Sequence, residues 1–195
     1  MEGLVNFSPA CSFQLHDFYE YLLTVHPPSE VYNQIREETE YFSSEYNVTV
    51  AKKTLPHITV ANFLAREEME ETIIRYMRRI FSTQPSFSVT LNNYSGLPEH
   101  TVFARVQDHD PFKHLAASLK VIDDYVKSNS CPSANLITHP HVAIAKRLQK
   151  NIYDKAMFDY SRKTFHASFE VTELILLKRK NQFDKRERLS VFRLL

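Results

Sequence analysis

Two stretches of the chain are near copies: LPHITVANF, from Leu55 to Phe63, and HPHVAIAKR, from His139 to Arg147. Pro-His, an alternating apolar run and an alanine recur 84 positions apart in a chain with nine histidines. Period-two alternation is the pattern of a half-buried strand, whose successive side chains face opposite sides of a sheet. In each copy one histidine is expected on a face otherwise made of small residues: His57 with Thr59 and Ala61, and His141 with Ala143 and Ala145. Ile58, Val60 and Asn62 are expected on the other face, as are Val142, Ile144 and Lys146. Two matching strands imply two matching halves, and no other feature constrains the fold as strongly.

The segments around the copies repeat in kind. Tyr19 to Val25 reads as a strand ended by Pro27-Pro28, followed by a helix with Ser29 as N-cap and Val31, Ile35 and Phe42 on one face. The first histidine strand is expected over Thr54 to Phe63. Met69, Ile73, Met77, Ile80 and Phe81 repeat at helical spacing behind an acidic start. SFSVTLNNYSGL alternates through Phe87, Val89 and Leu91, Gly96 and Pro98 turn the chain, and HTVFARV is the next strand. Asp110 is expected to cap a helix with Pro111 at its first position and a buried stripe of Phe112, Leu115, Ala116, Leu119, Ile122 and Val126. After a loop from Ser128 to Ile137 and the second histidine strand come a helix over about Asn151 to Thr164 and two strands, SFEVTELILLKRK and RLSVFRLL, joined by a charged turn. The order is βαβαβ, then βαβαββ. The expected architecture is α+β: a bilobal pseudo-twofold duplication, with antiparallel β-sheets lining a central cleft and helices outside, forming one domain over residues 1–195.

Composition removes whole classes of function. Apolar residues at 43% and aromatics at 12% exclude a disordered chain. Only Gly3 and Gly96 are glycine, so neither a Walker loop nor a dinucleotide fingerprint exists here, and any phosphate must be held by side chains. With 24 basic and 23 acidic residues, there is no bulk attraction for nucleic acid. Cys11 and Cys131 form neither a disulfide framework nor a zinc-spaced set, and no signal-peptide core or membrane-length apolar run is present. A cytoplasmic monomer, not associated with a membrane, is expected.

Two imidazoles facing each other across a cleft suit phosphodiester chemistry without a metal. A neutral ring takes a proton from water or a hydroxyl, and a protonated ring gives one to the leaving alkoxide. Thr59, on the face of His57, is placed to donate its hydroxyl to a non-bridging phosphate oxygen. His16, His26, His100, His109, His114 and His166 lack such a setting and read as ordinary.

The tetrapeptides HITV and HVAI, set between YEYLLTVHPP, FSVTLNNYSGLP, TVFARV and the closing ELILLKRK and SVFRLL, resemble the two-histidine phosphoesterase superfamily, in its 2′-5′ RNA ligase-like and cyclic phosphodiesterase branch. The resemblance spans nearly the whole chain. It implies a bilobal α/β fold, His57 and His141 as catalytic acid and base, Thr59 as phosphate holder, and no cofactor or metal. It also implies, as partner, a nucleotide or RNA end bearing a cyclic or 2′-5′ phosphodiester.

The second tetrapeptide departs from the pattern, because Ala143 stands where the family has Thr or Ser. A methyl donates no hydrogen bond, and losing one donor to a transition-state oxyanion costs roughly 3 to 4 kcal/mol. Lys146 and His139 are the candidates to supply the missing charge, with His139 on the face of His141 and Lys146 turned away if the strand is regular. Tyr94 and Phe103 are candidates to stack a base. The basic run of Lys178, Arg179, Lys180, Lys185, Arg186 and Arg188 reads either as a solvated hairpin tip or as a guide for an RNA backbone. Two other readings compete: a metal site built from His57, His139 and His141, and a nucleotide- or RNA-binding module that kept the cleft and lost turnover.

Overall fold

The computed structural model describes residues 18–49, 55–181 and 183–195. Gly3, Cys11, His16 and Thr54 lie outside the described residues. The strands are β1 (Phe18–Val25), β2 (Ile58–Arg66), β3 (Phe87–Leu97), β4 (Thr101–Val106), β5 (Asn135–Leu136), β6 (His141–Lys146), β7 (His166–Val171), β8 (Glu173–Arg179) and β9 (Glu187–Arg193). The helices are α1 (Ser29–Glu45), α2 (Glu70–Phe81), α3 (Asp110–Ser118), α4 (Lys120–Ser128) and α5 (Lys150–Tyr160), with a 3₁₀ turn at Glu67–Met69 ahead of α2.

The expected amphipathic stripes are the buried ones. Val31, Ile35 and Phe42 of α1, Ile73, Met77 and Phe81 of α2, and Phe112, Leu115, Ala116, Leu119, Ile122 and Val126 along α3 and α4 are all in the core. The stripe crosses the junction at Leu119, which divides the expected single helix in two. Two caps differ from expectation. Pro28, not Ser29, precedes α1; its missing N–H breaks no helical hydrogen bond, but it supplies no side-chain cap to the first turn. His109 takes the position before α3, and the Asp108 carboxylate accepts the Asp110 N–H at 3.0 Å.

All strand pairings are antiparallel, and the sheet runs β7-β3-β4-β6-β2-β1-β8-β9, with β5 against β2. The two expected sheets are thus one path, joined at its middle by the Ile58–Val142 pair of β2 and β6. On one side lie β2, β1, β8 and β9; on the other lie β6, β4, β3 and β7. These sets are not the two sequence halves: β3 pairs with strands of the second side, and β8 and β9 return to the first. SFEVTELILLKRK is consequently two strands. Thr172 alone separates β7 from β8, although five strands lie between them in the hydrogen-bonded order, so the sheet must coil strongly. The helices cross over the middle. α1, which connects β1 to β2, packs on β6, and α3, on the connection from β4 to β6, packs on β2.

Gly96 is a strand residue paired with Val102, and the turn beyond it holds Glu99 at φ 70°. Its role is space. A Cβ there would run into the Tyr153 ring and hydroxyl and the Met157 sulfur of α5. Gly96→Ala is expected to destabilise the fold by about 1 to 3 kcal/mol, the range for overpacking, read as a lower denaturant midpoint with unchanged slope.

Candidate active site

The Ile58–Val142 pair fixes what surrounds it. Carrying that antiparallel register one step either way sets His57 across from Ala143 and Thr59 across from His141. All four side chains line one cavity of about 130 Å³ together with Asn62, Ile137 and Lys146. The histidines occupy one diagonal of this square, where Cβ atoms stand about 7 to 8 Å apart. A hydroxyl stands beside His141, and a methyl stands beside His57.

Each histidine strand carries a bulge at the same step. Thr24 pairs with Thr59 but Leu23 with Ala61, which leaves Val60 as an extra residue; Phe103 pairs with Ala143 but Val102 with Ala145, which leaves Ile144 as an extra residue. An extra residue reverses the alternation beyond it. Ala61 and Ala145 turn into the core at 1% and 0% exposure, and Asn62 and Lys146 turn onto the histidine face. The expected placement of Asn62 and Lys146 on the far face is thereby corrected. Asn62, which the alternation argument passed over, was signalled only by occupying the position that Lys146 has in the other copy.

The remaining candidates separate. Phe103 is half-buried on the cavity face, its ring 4.7 Å from that of His141. Tyr94 lies elsewhere, 4.8 Å from Tyr160 and 5.6 Å from Phe165, with its hydroxyl pKa raised by burial and by Glu38. His139 is exposed, its Nδ1 3.0 Å from Thr138 Oγ1 and its ring 5.3 Å from that of His109; it does not line the cavity. Among the described residues, no group of three or more His, Cys, Asp or Glu side chains is arranged to hold a metal ion. Arg105, unremarked in the sequence, pairs directly with His141 across β4 and β6.

The two rings are held alike. His57 donates its Nδ1–H to the Leu55 carbonyl at 2.7 Å, and a ring N–H of His141 donates to the carbonyl of His139, in each case two residues back. Nε2 of His57 is thus the nitrogen left for chemistry. Burial pushes the His57 pKa down to about 4, against the pull of its carbonyl partner and with help from the charges of Lys146, His26 and Arg186. Burial also lowers His141, as does the Lys146 charge. Lys146 is itself lowered by burial and then by Arg147 and Arg186, and no ion pair joins it to a carboxylate among the described residues. A half-buried ammonium beside two neutral imidazoles favours an anion between them.

The His57 shift has a consequence for stability. The unfolded chain, with a histidine pKa near ~6.5, binds more protons than the native state as pH falls from there to about 4. The stability contributed by neutral His57 is therefore complete above about pH 6.5 and is lost on acidification through that window. We expect the melting temperature to fall more between pH 7.5 and 4.5 in the wild type than in His57→Asn, and inorganic phosphate to reduce the difference.

A two-sided antiparallel sheet carries helices outside, and a histidine at the start of each of its two central strands faces one cavity. The profile of the 2′-5′ RNA ligase superfamily matches residues 27–182, and the chain belongs to this superfamily of two-histidine phosphoesterases. Membership supports an enzyme of phosphoesterase type. Among solved structures the chain is similar to Escherichia coli LigT complexed with 3′-AMP, at 19% identity over 91% of this chain and 98% of that one, with a TM-score of 0.65. It is similar as well to TT0787 of Thermus thermophilus, at 18% identity over 90% and 97%, with a TM-score of 0.64. No curated protein matches the chain. No helix among the described residues is long and apolar enough to cross a membrane.

Proposed function

We propose that the protein is a metal-independent phosphoesterase that opens or hydrolyses a phosphodiester adjoining a ribose 2′ oxygen, cyclic or 2′-5′-linked, in a nucleotide or RNA end. The observation that carries this reading is the diagonal His57–His141 pair with Lys146 and Thr59 in one cavity. His57, the ring pushed down to about 4, is the base: its Nε2 takes a proton from water as the water oxygen bonds to phosphorus. The arriving phosphate raises the basicity of His141, which becomes protonated and gives that proton to the ribose oxygen as its bond to phosphorus breaks. Thr59 and Lys146 hold the non-bridging oxygens, and Phe103 offers a face to the base beside His141. His139 and Tyr94, outside the cavity, are left without a part in this step.

The working unit is the whole chain as one domain of two lobes from an internal duplication, acting as a cytoplasmic monomer. Solved structures of LigT with 3′-AMP, NADP+ and ATP support a nucleotide as substrate here. The test is hydrolysis of nucleoside 2′,3′-cyclic phosphates and 2′-5′-linked dinucleotides in chelator. Turnover on at least one member is the expected result. Ala143 beside His57 favours one alternative, a binding module that has lost turnover; tight nucleotide binding with no hydrolysis of any member would establish it instead.

A further inference from the structure

The basic segment between β8 and β9 spends much of its charge within the fold. Lys178 Nζ lies 2.8 Å from Glu67 and 2.7 Å from Glu70, and Arg179 and Arg186 both pair with Glu20. Arg105 differs. It is exposed, it stands directly across from His141 in the pairing of β4 with β6, and no carboxylate pairs with it among the described residues. Directly opposed residues share a face, with Cβ atoms about 4.5 to 5.5 Å apart.

Most exposed arginines are simply solvated, but this one is held. Between the Leu91–Val106 and Tyr94–Ala104 pairs, β3 sets two residues, Asn92 and Asn93, against Arg105 alone. This bulge is pinned from the side of β7: Asn93, at φ 58°, gives its N–H to the Phe165 carbonyl at 2.7 Å and takes the Phe165 N–H on Oδ1 at 3.1 Å. The Asn92 carbonyl accepts the Arg105 Nε–H at 3.3 Å, so the side chain lies towards β3 and its two Nη groups are left to face a ligand. The surrounding face does not cancel the charge. Along β3, β4, β6 and β7 the one acidic residue is Glu170, four positions from His166, and its carboxylate takes the Ser86 hydroxyl at 2.8 Å. Asn92 paired with His166, and Thr90 paired with Ser168, fill the face nearer Arg105.

The guanidinium thus stands one to two strand spacings, about 5 to 10 Å, from His141. A nucleoside spans such a gap between the phosphates on its 3′ and 5′ sides. Phe103, two residues along β4, presents its ring 4.7 Å from that of His141. Resting on the phosphoesterase reading of the cavity, we propose that Arg105 is a specificity-determining residue, holding the phosphate on the 5′ side of the nucleotide whose phosphodiester lies at the histidine pair. The preferred substrate is then an RNA end or a 5′-phosphorylated nucleotide, and a bare nucleoside cyclic phosphate is a truncated one. A terminal 5′ phosphate and the preceding RNA linkage offer the guanidinium the same non-bridging oxygens.

Calorimetric binding tests this without needing turnover. Adenosine 3′,5′-bisphosphate should bind the wild type roughly tenfold or more tightly than adenosine 3′-phosphate, and the ratio should fall towards one in Arg105→Gln. For tetra-adenylate with a 3′ phosphate and a 5′ hydroxyl, the slope of log affinity against log salt should be shallower by about 0.7 in Arg105→Gln, the share of one phosphate contact on a single strand. A fall in the ratio identifies a terminal phosphate, and a fall in the slope identifies an internal linkage. Absence of both effects overturns the assignment, as does an equal loss of affinity for all three ligands, which marks Arg105 as structural. If no ligand binds the wild type, the cavity reading falls with it. If a nucleoside cyclic phosphate is hydrolysed but neither effect is seen, Arg105 alone is misassigned; if both effects are seen without hydrolysis, the catalytic reading fails and the Arg105 contact stands.

Discussion

His57→Ala and His141→Ala should each lower hydrolysis of a nucleoside 2′,3′-cyclic phosphate by about 10² to 10⁴, the usual share of one general acid or base, with the melting temperature little changed. The double variant should cost little more than either single one, because the two rings act in one proton circuit. His57 sits at the edge of a cavity, where its Nδ1–H is held by the Leu55 carbonyl, so alanine there removes a proton acceptor without exposing a core. The pH profile carries the assignment of roles. With His57 as base and its pKa held near 4, the acid limb of kcat/KM in the wild type should lie well below the ordinary histidine range. If His141→Ala keeps near-wild-type turnover while His57→Ala does not, the paired mechanism is wrong and a single-base mechanism replaces it.

Lys146→Met should reduce turnover by about 10² to 10³, comparable to losing one oxyanion donor, and Ala143→Thr in that background should recover at least tenfold. The physical link is the square of side chains around the Ile58–Val142 pair: a hydroxyl, Thr59, stands at the His141 corner, and the matching position at the His57 corner is the methyl of Ala143. Lys146 reaches this face because of the bulge at Ile144, and its burial with no carboxylate partner among the described residues leaves its charge available to an anion. Methionine keeps the length and apolar stem of lysine, so a loss in this variant reports the charge. Unchanged steady-state kinetics in Lys146→Met would remove Lys146 from the mechanism, and a further loss on adding Ala143→Thr would mean that the corner has closed around the smaller residue.

Periodicity carried the helices well, since the buried stripes of α1 to α4 consist of residues spaced to fall on one face, and a stripe of that width needs a core whatever its partner. It carried the strands less far. SFEVTELILLKRK alternates without interruption, and nothing in it says that Thr172 hands the chain from one side of the sheet to the other; that depends on which edge each piece pairs with. Sequence order suggested two halves in succession, whereas β3 and the β8–β9 hairpin exchange sides.

The sequence by itself determined that two histidines on apolar, small-residue strands would meet in one fold, because duplicated patterns with the same faces can bury them only by pairing alike. It also excluded glycine-rich phosphate loops outright. The tertiary structure alone decided which of the other residues joined them. Whether a side chain lies on the cavity face is set by the hydrogen-bond register between strands far apart in sequence, and one unpaired residue at Val60 and another at Ile144 brought in Asn62 and Lys146. His139, two residues from His141 and predicted to share its face, lies ahead of β6 and packs by His109 instead. Alternation is a local property of the chain, but the point at which it slips is fixed only by the partner strand.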